Sequence, residues 1–136
     1  MDYTVKEYRK YNEKEILNLY QSVGWVNYVN EPEMLKNAYA NSLKIFGAYE
    51  GEKLLGIIRV VGDGYSIVYI QDIIVLPEYQ RQGIGTALLK RVLATCEHVY
   101  QKVLITDNTE KSIQFYKSLG FQMDTEIECR AFVKMR

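Results

Sequence analysis

IQDIIVLPEYQRQGIGTALLKR, residues 70–91, decides the fold. An apolar run is followed by Pro77, a glycine-containing turn and an amphipathic segment. The pattern predicts a buried strand that ends at a phosphate-binding loop and the start of a helix. The first N–H groups of a helix lack partners inside it and carry positive partial charge. A helix start reached through glycines is therefore suited to an anion. Gly83 and Gly85 let a phosphate approach with no Cβ in the way and permit φ > 0, and Arg81 adds a positive side chain near the same oxygens. Taken alone, a GxG at a helix start is often only a tight turn. The stretch lacks the Lys-Ser/Thr of a P-loop, and the third glycine and later acidic residue of a dinucleotide turn.

Upstream, residues 3–8 alternate as an edge strand, and Asn12 with Glu15 forms a capping-box pattern ahead of a helix bearing Ile16, Leu17, Leu19, Tyr20 and Val23. Gly24 ends that helix. Residues 25–31, WVNYVNE, are aromatic, polar and irregular, and Pro32 suits the first turn of a second helix. Residues 45–50 and 53–61 flank Gly51-Glu52 as a hairpin, and 62–64 make the next turn into a central strand over 66–76. Downstream come the helix after Gly85, a short strand over 102–106, a helix over 109–119 ended by Gly120, and strands over 121–124 and 126–134. The expected architecture is α/β (α+β). One mixed, mostly antiparallel twisted sheet of about seven strands is flanked by about four helices, all in a single domain, 1–136.

Seventeen basic and seventeen acidic residues cancel, so the charge balance gives no reason to expect a nucleic acid or an anionic membrane as partner. The N-terminal stretch lacks an apolar signal region, and no apolar run approaches the ~20 residues that span a bilayer. Cys96 and Cys129 lack metal or redox spacing. A cytoplasmic protein with reduced thiols and no metal is expected.

Gln80, Gly83 and Gly85 fit a pattern of Gln or Arg, two residues, Gly, any residue, then Gly or Ala. The preceding IIVLPEY and the later SIQFYKSLGF, residues 112–121, stand at matching distance. Together these stretches resemble motifs A and B of the GNAT superfamily of N-acetyltransferases, and the expected element order resembles that family from end to end. The resemblance implies the GNAT fold and acetyl-coenzyme A as cosubstrate, with its pyrophosphate on the backbone of Arg81, Gln82, Gly83, Ile84, Gly85 and Thr86. It also implies that the pantetheine arm pairs with Ile73, Ile74 and Val75 as an added strand. Tyr116 matches the family's tyrosine, whose hydroxyl protonates the coenzyme A sulfur, and a phenol is protonated at neutral pH. Packing is the competing role for that ring. Asn108 stands beside Thr109, where the family often carries an asparagine, and could hold the arm.

Family members with a side-chain base often carry it nine or eleven residues before the position of Gln80, which here gives Gln71 and Tyr69. Neither is a base. Strand alternation places Asp72 on the opposite face from both, and Leu104 stands where other members carry an acid. Proton removal falls to ordered water or to a carboxylate such as Glu31 or Glu33. The connection between the first two helices implies an acceptor wall from Trp25 and Tyr28, with Glu31 addressing the amine. Trp25 as a plug between helix and sheet is the alternative. His98 is given no role. The expected function is acetyl transfer to a primary amine of a small molecule or peptide through a ternary complex, by a monomer or homodimer. The rival is a catalytically inactive acyl-coenzyme A sensor or interaction module.

Overall fold

The computed structural model describes residues 1–136, which divide into Met1–Ile105 and Thr106–Arg136. The first part runs β1 (Thr4–Glu7), α1 (Glu13–Ser22), α2 (Val26–Val29), α3 (Pro32–Ala40), β2 (Lys44–Glu50), β3 (Lys53–Gly62), β4 (Ile67–Val75), α4 (Ile84–Thr95) and β5 (Gln101–Leu104). Sheet order equals chain order, with β1 to β4 antiparallel and β5 parallel to β4. A parallel neighbour requires a long crossover, and α4 supplies it.

Local chemistry sets the element ends. The Asn12 side chain accepts from Glu15 N at 3.1 Å, as the capping pattern predicts. The reciprocal half of the box is not made. Tyr8 Oη takes Asn12 N at 3.0 Å and donates to the Glu15 carboxylate at 2.9 Å, so a phenol from the end of β1 stands between the two capping partners. Gly24, at φ 78°, follows the end of α1, and Pro32 begins α3. The expected irregular connection contains one helical turn, α2, which buries none of its own residues.

The sheet is covered on both faces. Ile16, Leu19 and Tyr20 of α1 and Leu35 and Tyr39 of α3 pack with Ile57 and Ile74 on one side. On the other, α4 buries Ile84, Leu88, Leu89 and Val92, and a Cβ on Gly56 would meet Leu88.

One residue interrupts the ladder between β3 and β4. Arg59 pairs with Asp72 but Val60 pairs with Ile70, which leaves Gln71 as the extra residue of a β-bulge. Paired residues of an antiparallel ladder point to the same face. Tyr69, opposite Val61, and Asp72, opposite Arg59, therefore share the face covered by α1 and α3. The expected separation of Asp72 from Tyr69 by simple alternation is corrected here. The bulge shifts the alternation by one residue between them.

The second part holds α5 (Glu110–Ser118), with Thr109 accepting from Ser112 N at 3.2 Å, and a 3₁₀ turn over Asp124–Ile127. The two strands expected over 121–134 are absent, so the sheet has five strands rather than about seven, with five α-helices in the whole chain. Side chains take the backbone donors a ladder would need. Glu126 accepts from Met123 N at 2.9 Å, Asp124 accepts from Ala131 N at 3.1 Å, and Glu128 turns the chain at φ 58°. Residues 129–136 carry no regular structure, and Phe132 is 91% exposed.

The turn into β4 depends on Gly62, at φ 138°, where a Cβ would collide with the Ile67 carbonyl oxygen. Gly62→Ala is expected to destabilise the fold by about 1–3 kcal/mol, read from the midpoint of urea unfolding.

Candidate active site

A 3₁₀ turn, Pro77–Tyr79, carries the chain from β4 to the loop before α4. Gln80 Nε2 donates to the Val75 carbonyl at 3.1 Å, tying the loop to the strand end. Arg81 and Gly83 then adopt left-handed backbone at φ 65° and 82°. Arg81 does so with a side chain, a strained geometry of the kind concentrated at functional sites. Gly85 lies within α4 without positive φ, so of the two glycines only Gly83 uses the freedom expected of both.

The first helical donor of α4 to be satisfied is Ala87 N, bonded to Gly83 O at 2.9 Å. The N–H groups of residues 81–86 make no bond within the chain. Nothing stands within 4 Å of the position a Gly83 Cβ would take. The result is a row of oriented donors at a helix start, with open space before it. This arrangement fits a pyrophosphate.

Beside this turn β4 is open along one edge. β5 pairs with it only from Ile67 to Ile70, so Gln71 to Val75 have no strand on that side. Ile73, Ile74 and Val75 pair with Ile58, Ile57 and Gly56 of β3 alone. Such an edge accepts an extended ligand by main-chain hydrogen bonds.

On the face covered by α1 and α3, aromatic rings cluster over the bulge. The Tyr20 ring lies 5.1 Å from Tyr28 and 6.0 Å from Trp25 between centroids, and Trp25 lies 6.2 Å from Tyr28. Trp25 is 38% exposed, with the rest of its surface covered in part by the Tyr20 ring. Gln71 Nε2 donates to Tyr28 Oη at 3.2 Å. Half-buried Tyr69 lies near Tyr28 and Asp72, and burial raises its phenol pKa. Glu31 is the N-cap residue of α3, and its side chain does not cap the helix. Trp25, Tyr28 and Gln71 are thus brought together.

Beneath the rings lies a buried polar network that the sequence did not reveal. Asp72 Oδ2 receives Tyr20 Oη at 2.7 Å, Arg59 Nε at 2.9 Å and a second Arg59 nitrogen at 2.9 Å. Arg59 also donates to Ser42 Oγ at 3.3 Å and lies over the Tyr39 ring. Because the single Tyr20 proton goes to the carboxylate, Tyr39 donates to Tyr20 Oη across 2.9 Å. Burial opposes the charge on Arg59, but Asp72 together with Tyr20 and Tyr39 outweighs it and the guanidinium pKa is raised. Burial raises both phenols as well, so Tyr20 and Tyr39 remain neutral donors. Asp72 is thereby committed to structure. A carboxylate flanked by uncharged residues in sequence gave one usable signal, namely an arginine at the matching place on the preceding strand.

Tyr116 and Asn108 belong to the second part of the chain. Tyr116 packs between Phe115 and Phe121, at 4.9 and 5.9 Å between centroids. Burial raises its pKa, partly offset by a hydrogen bond from Thr106. Asn108 is exposed in the loop before α5, where Asp107 accepts from Thr106 at 3.2 Å and from Ser112. His98 is exposed and bonds Gly64 O at 3.0 Å, and both cysteines are free. No group of three or more His, Cys, Asp and Glu is placed to hold a metal, and no helix is long and apolar enough to cross a membrane.

A five-stranded sheet whose fourth strand parts from its parallel neighbour ahead of a left-handed glycine turn has the architecture of an N-acyltransferase. The pattern of the acetyltransferase (GNAT) domain matches residues 7–136, and the chain belongs to that family. An acetyltransferase of the GNAT family from Streptococcus pneumoniae TIGR4 superposes with a TM-score of 0.90 at 42% identity, over 99% of this chain and 98% of that one. PaiA N-acetyltransferase from Thermoplasma acidophilum, solved in complex with coenzyme A, shares the fold, with a TM-score of 0.76 at 17% identity over 91% and 92% of the two chains. A histone acetyltransferase of Glycine max is 32% identical over 101 residues, 68% of this chain and 43% of that protein. Mouse thialysine N-epsilon-acetyltransferase is 38% identical over 66 residues, 45% of this chain and 38% of that protein. The matches span about two fifths of the length of these curated relatives.

Removing the guanidinium leaves the Asp72 carboxylate buried with only Tyr20 to answer it. Arg59→Met is expected to cost about 3–5 kcal/mol of stability, measured by urea unfolding followed by circular dichroism.

Proposed function

We propose that residues 1–136 form one acetyltransferase domain that passes an acetyl group from acetyl-coenzyme A to a primary amine by direct attack in a ternary complex. The observation that carries this is the unengaged row of N–H groups at residues 81–86, beside the open edge of β4. In this scheme Arg81, Gln82, Gly83, Ile84, Gly85 and Thr86 hold the pyrophosphate. Ile73, Ile74 and Val75 bond the pantetheine amides and orient the thioester, and Asn108 supports the arm. Trp25 and Tyr28 form the acceptor wall, and Glu31 addresses the amine.

The bound acetyl-coenzyme A supplies an activated acyl group. The amine nitrogen bonds the acetyl carbon as the carbon–sulfur bond breaks. Tyr116 gives its proton to the leaving sulfur and regains one from solvent. Asp72 is held by Arg59 and Tyr20, while Tyr69 and Gln71 are not bases, so the amine proton leaves to ordered water or to a carboxylate such as Glu31 or Glu33. The curated relatives act on chemically varied acceptors by name, including histone and thialysine.

The direct test offers thialysine, L-lysine, glucosamine 6-phosphate and an alanine-terminated peptide with acetyl-coenzyme A, following free thiol. Turnover of at least one amine is expected, with Tyr116→Phe slower by on the order of 10²-fold, the scale of one general acid. Coenzyme A binding without turnover of any amine would favour the sensor alternative, for which the neutral Tyr69 and Gln71 speak. Gly83→Val places a β-branched residue at φ 82° and blocks the anion's approach. It should weaken coenzyme A binding at least roughly tenfold by calorimetry, the scale of one lost charge-assisted bond.

The pH profile carries a definite sign. An acid works while protonated, so its contribution is lost only as pH rises through its pKa. Burial raises that of Tyr116 above the ordinary phenol value. The amine acceptor, by contrast, must lose a proton to react. kcat/KM should therefore rise between about pH 6 and 9 without an alkaline decline, because an ordinary phenol titrates near 10. A falling limb below about pH 9 would remove Tyr116 from the acid role.

A further inference from the structure

Tyr20 occupies an unusual junction. Its side chain is fully buried, and its hydroxyl meets Asp72 and Tyr39 at 2.7 and 2.9 Å. Its ring lies against Tyr28 and Trp25, at 5.1 and 6.0 Å between centroids. Its own carbonyl accepts Trp25 N at 3.0 Å. One residue therefore joins the charged network under the sheet face to the rings at the surface.

The second link runs through the bulge. Gln71, the extra residue of β4, reaches Tyr28 Oη at 3.2 Å, and its neighbour Asp72 holds Tyr20. Adjacent residues of one strand thus grip two touching rings of the cluster. Without the insertion at position 71 the shift in alternation would be lost, and Asp72 could not face the same side as Tyr69. Helix α2 has no fully buried residue; its Tyr28 and Val29 are half-buried against the core, and the Tyr20 ring and the Gln71 bond are the further contacts that hold Trp25 and Tyr28.

We propose that Tyr20 and Gln71 are positioning residues for the acceptor: through Asp72 and Tyr28 they fix the Trp25–Tyr28 wall relative to the open edge of β4. Neither has to touch the reacting atoms. The link to the acceptor rests on amine acetylation as the function, whereas the mechanical coupling of wall to bulge does not.

Trp25 is the only tryptophan in the chain, so its emission reports the wall with no ligand present. The full chain is compared with Tyr20→Phe, which keeps the ring and removes the hydroxyl, with Gln71→Leu, and with the double variant. Tyr65→Phe, at an exposed residue outside the cluster, is the control. Red-shifted Trp25 emission and increased quenching by acrylamide are expected for both single variants. The double variant should depart from the sum of the two, as it does for residues holding one element. Unchanged emission and quenching in folded Tyr20→Phe and Gln71→Leu would overturn the proposal. So would strictly additive effects. If Tyr20→Phe does not fold by circular dichroism, the half-buried Gln71→Leu still decides through the same readout.

Kinetics separates positioning from bulk stability. With whichever of the four amines turns over, the amine KM should rise on the order of tenfold in Tyr20→Phe, the scale of one hydrogen bond to a charged group. The KM for acetyl-coenzyme A should stay within a factor of about two, since its contacts are untouched. Equal loss on both substrates would refute a role confined to the acceptor. A chain that turns over none of the amines, yet shows the Trp25 shifts, would count against amine acetylation and leave the coupling of wall to bulge standing.

Discussion

A single inserted residue governs the working half of this sheet. With Gln71 added to β4, Asp72 moves to the face that holds Arg59, and the alternation shifts ahead of the strand's end. The strand then runs on from Gln71 to Val75 without its parallel neighbour. Each half of the candidate site depends on that local geometry. The backbone from Ile73 to Val75 is open to an extended ligand, and the side chains of Gln71 and Asp72 reach up into the aromatic cluster. A regular strand would have turned Asp72 away from the face that holds Tyr69.

The ion pair beneath the cluster is easier to understand in this light. Burying Asp72 at 2% exposure and Arg59 at 4% is costly in solvation, and apolar residues of similar volume often serve stability as well or better. What the pair contributes is direction. One carboxylate oxygen takes three donors from two elements, so α1 and β3 are fixed against β4 in a way that aliphatic packing would leave degenerate. Arg59 also lies over Tyr39 and bonds Ser42, extending the same constraint to the end of α3.

Much of this was legible in the sequence where a residue's chemistry acts locally. Pro32 at a helix start, Gly24 after a helix end, the Gly51 hairpin, the Asn12 cap and the left-handed turn at Gly83 all follow from what those residues can adopt alone. Features requiring a distant partner were not legible. The bulge leaves no mark, because Gln71 is neither glycine nor otherwise distinctive and its register is set by β3. The chain end alternates like a strand, yet Asp124 and Glu126 satisfy nearby N–H groups and no ladder forms. Tyr8 entered the α1 cap from β1, also out of sight of any local pattern. For the site the division is similar. The turn residues 80–86 read directly from their glycines, whereas the network around Asp72 emerged only when Arg59 was placed opposite it.

Helix α2 is a single turn with no buried residue of its own, suspended between Gly24 and Pro32. Its rings take their places from Tyr20 and from β4, both of which belong to the core. The exposed residues of this segment, Trp25, Val26, Asn27 and Asn30, therefore form an exchangeable surface mounted on a permanent fixture. Their identities can change through substitution while the sheet, the turn at Gly83 and the mount persist unaltered. Diversification of acceptors in a lineage with this architecture would be written first in that short segment, and last in the strand beneath it.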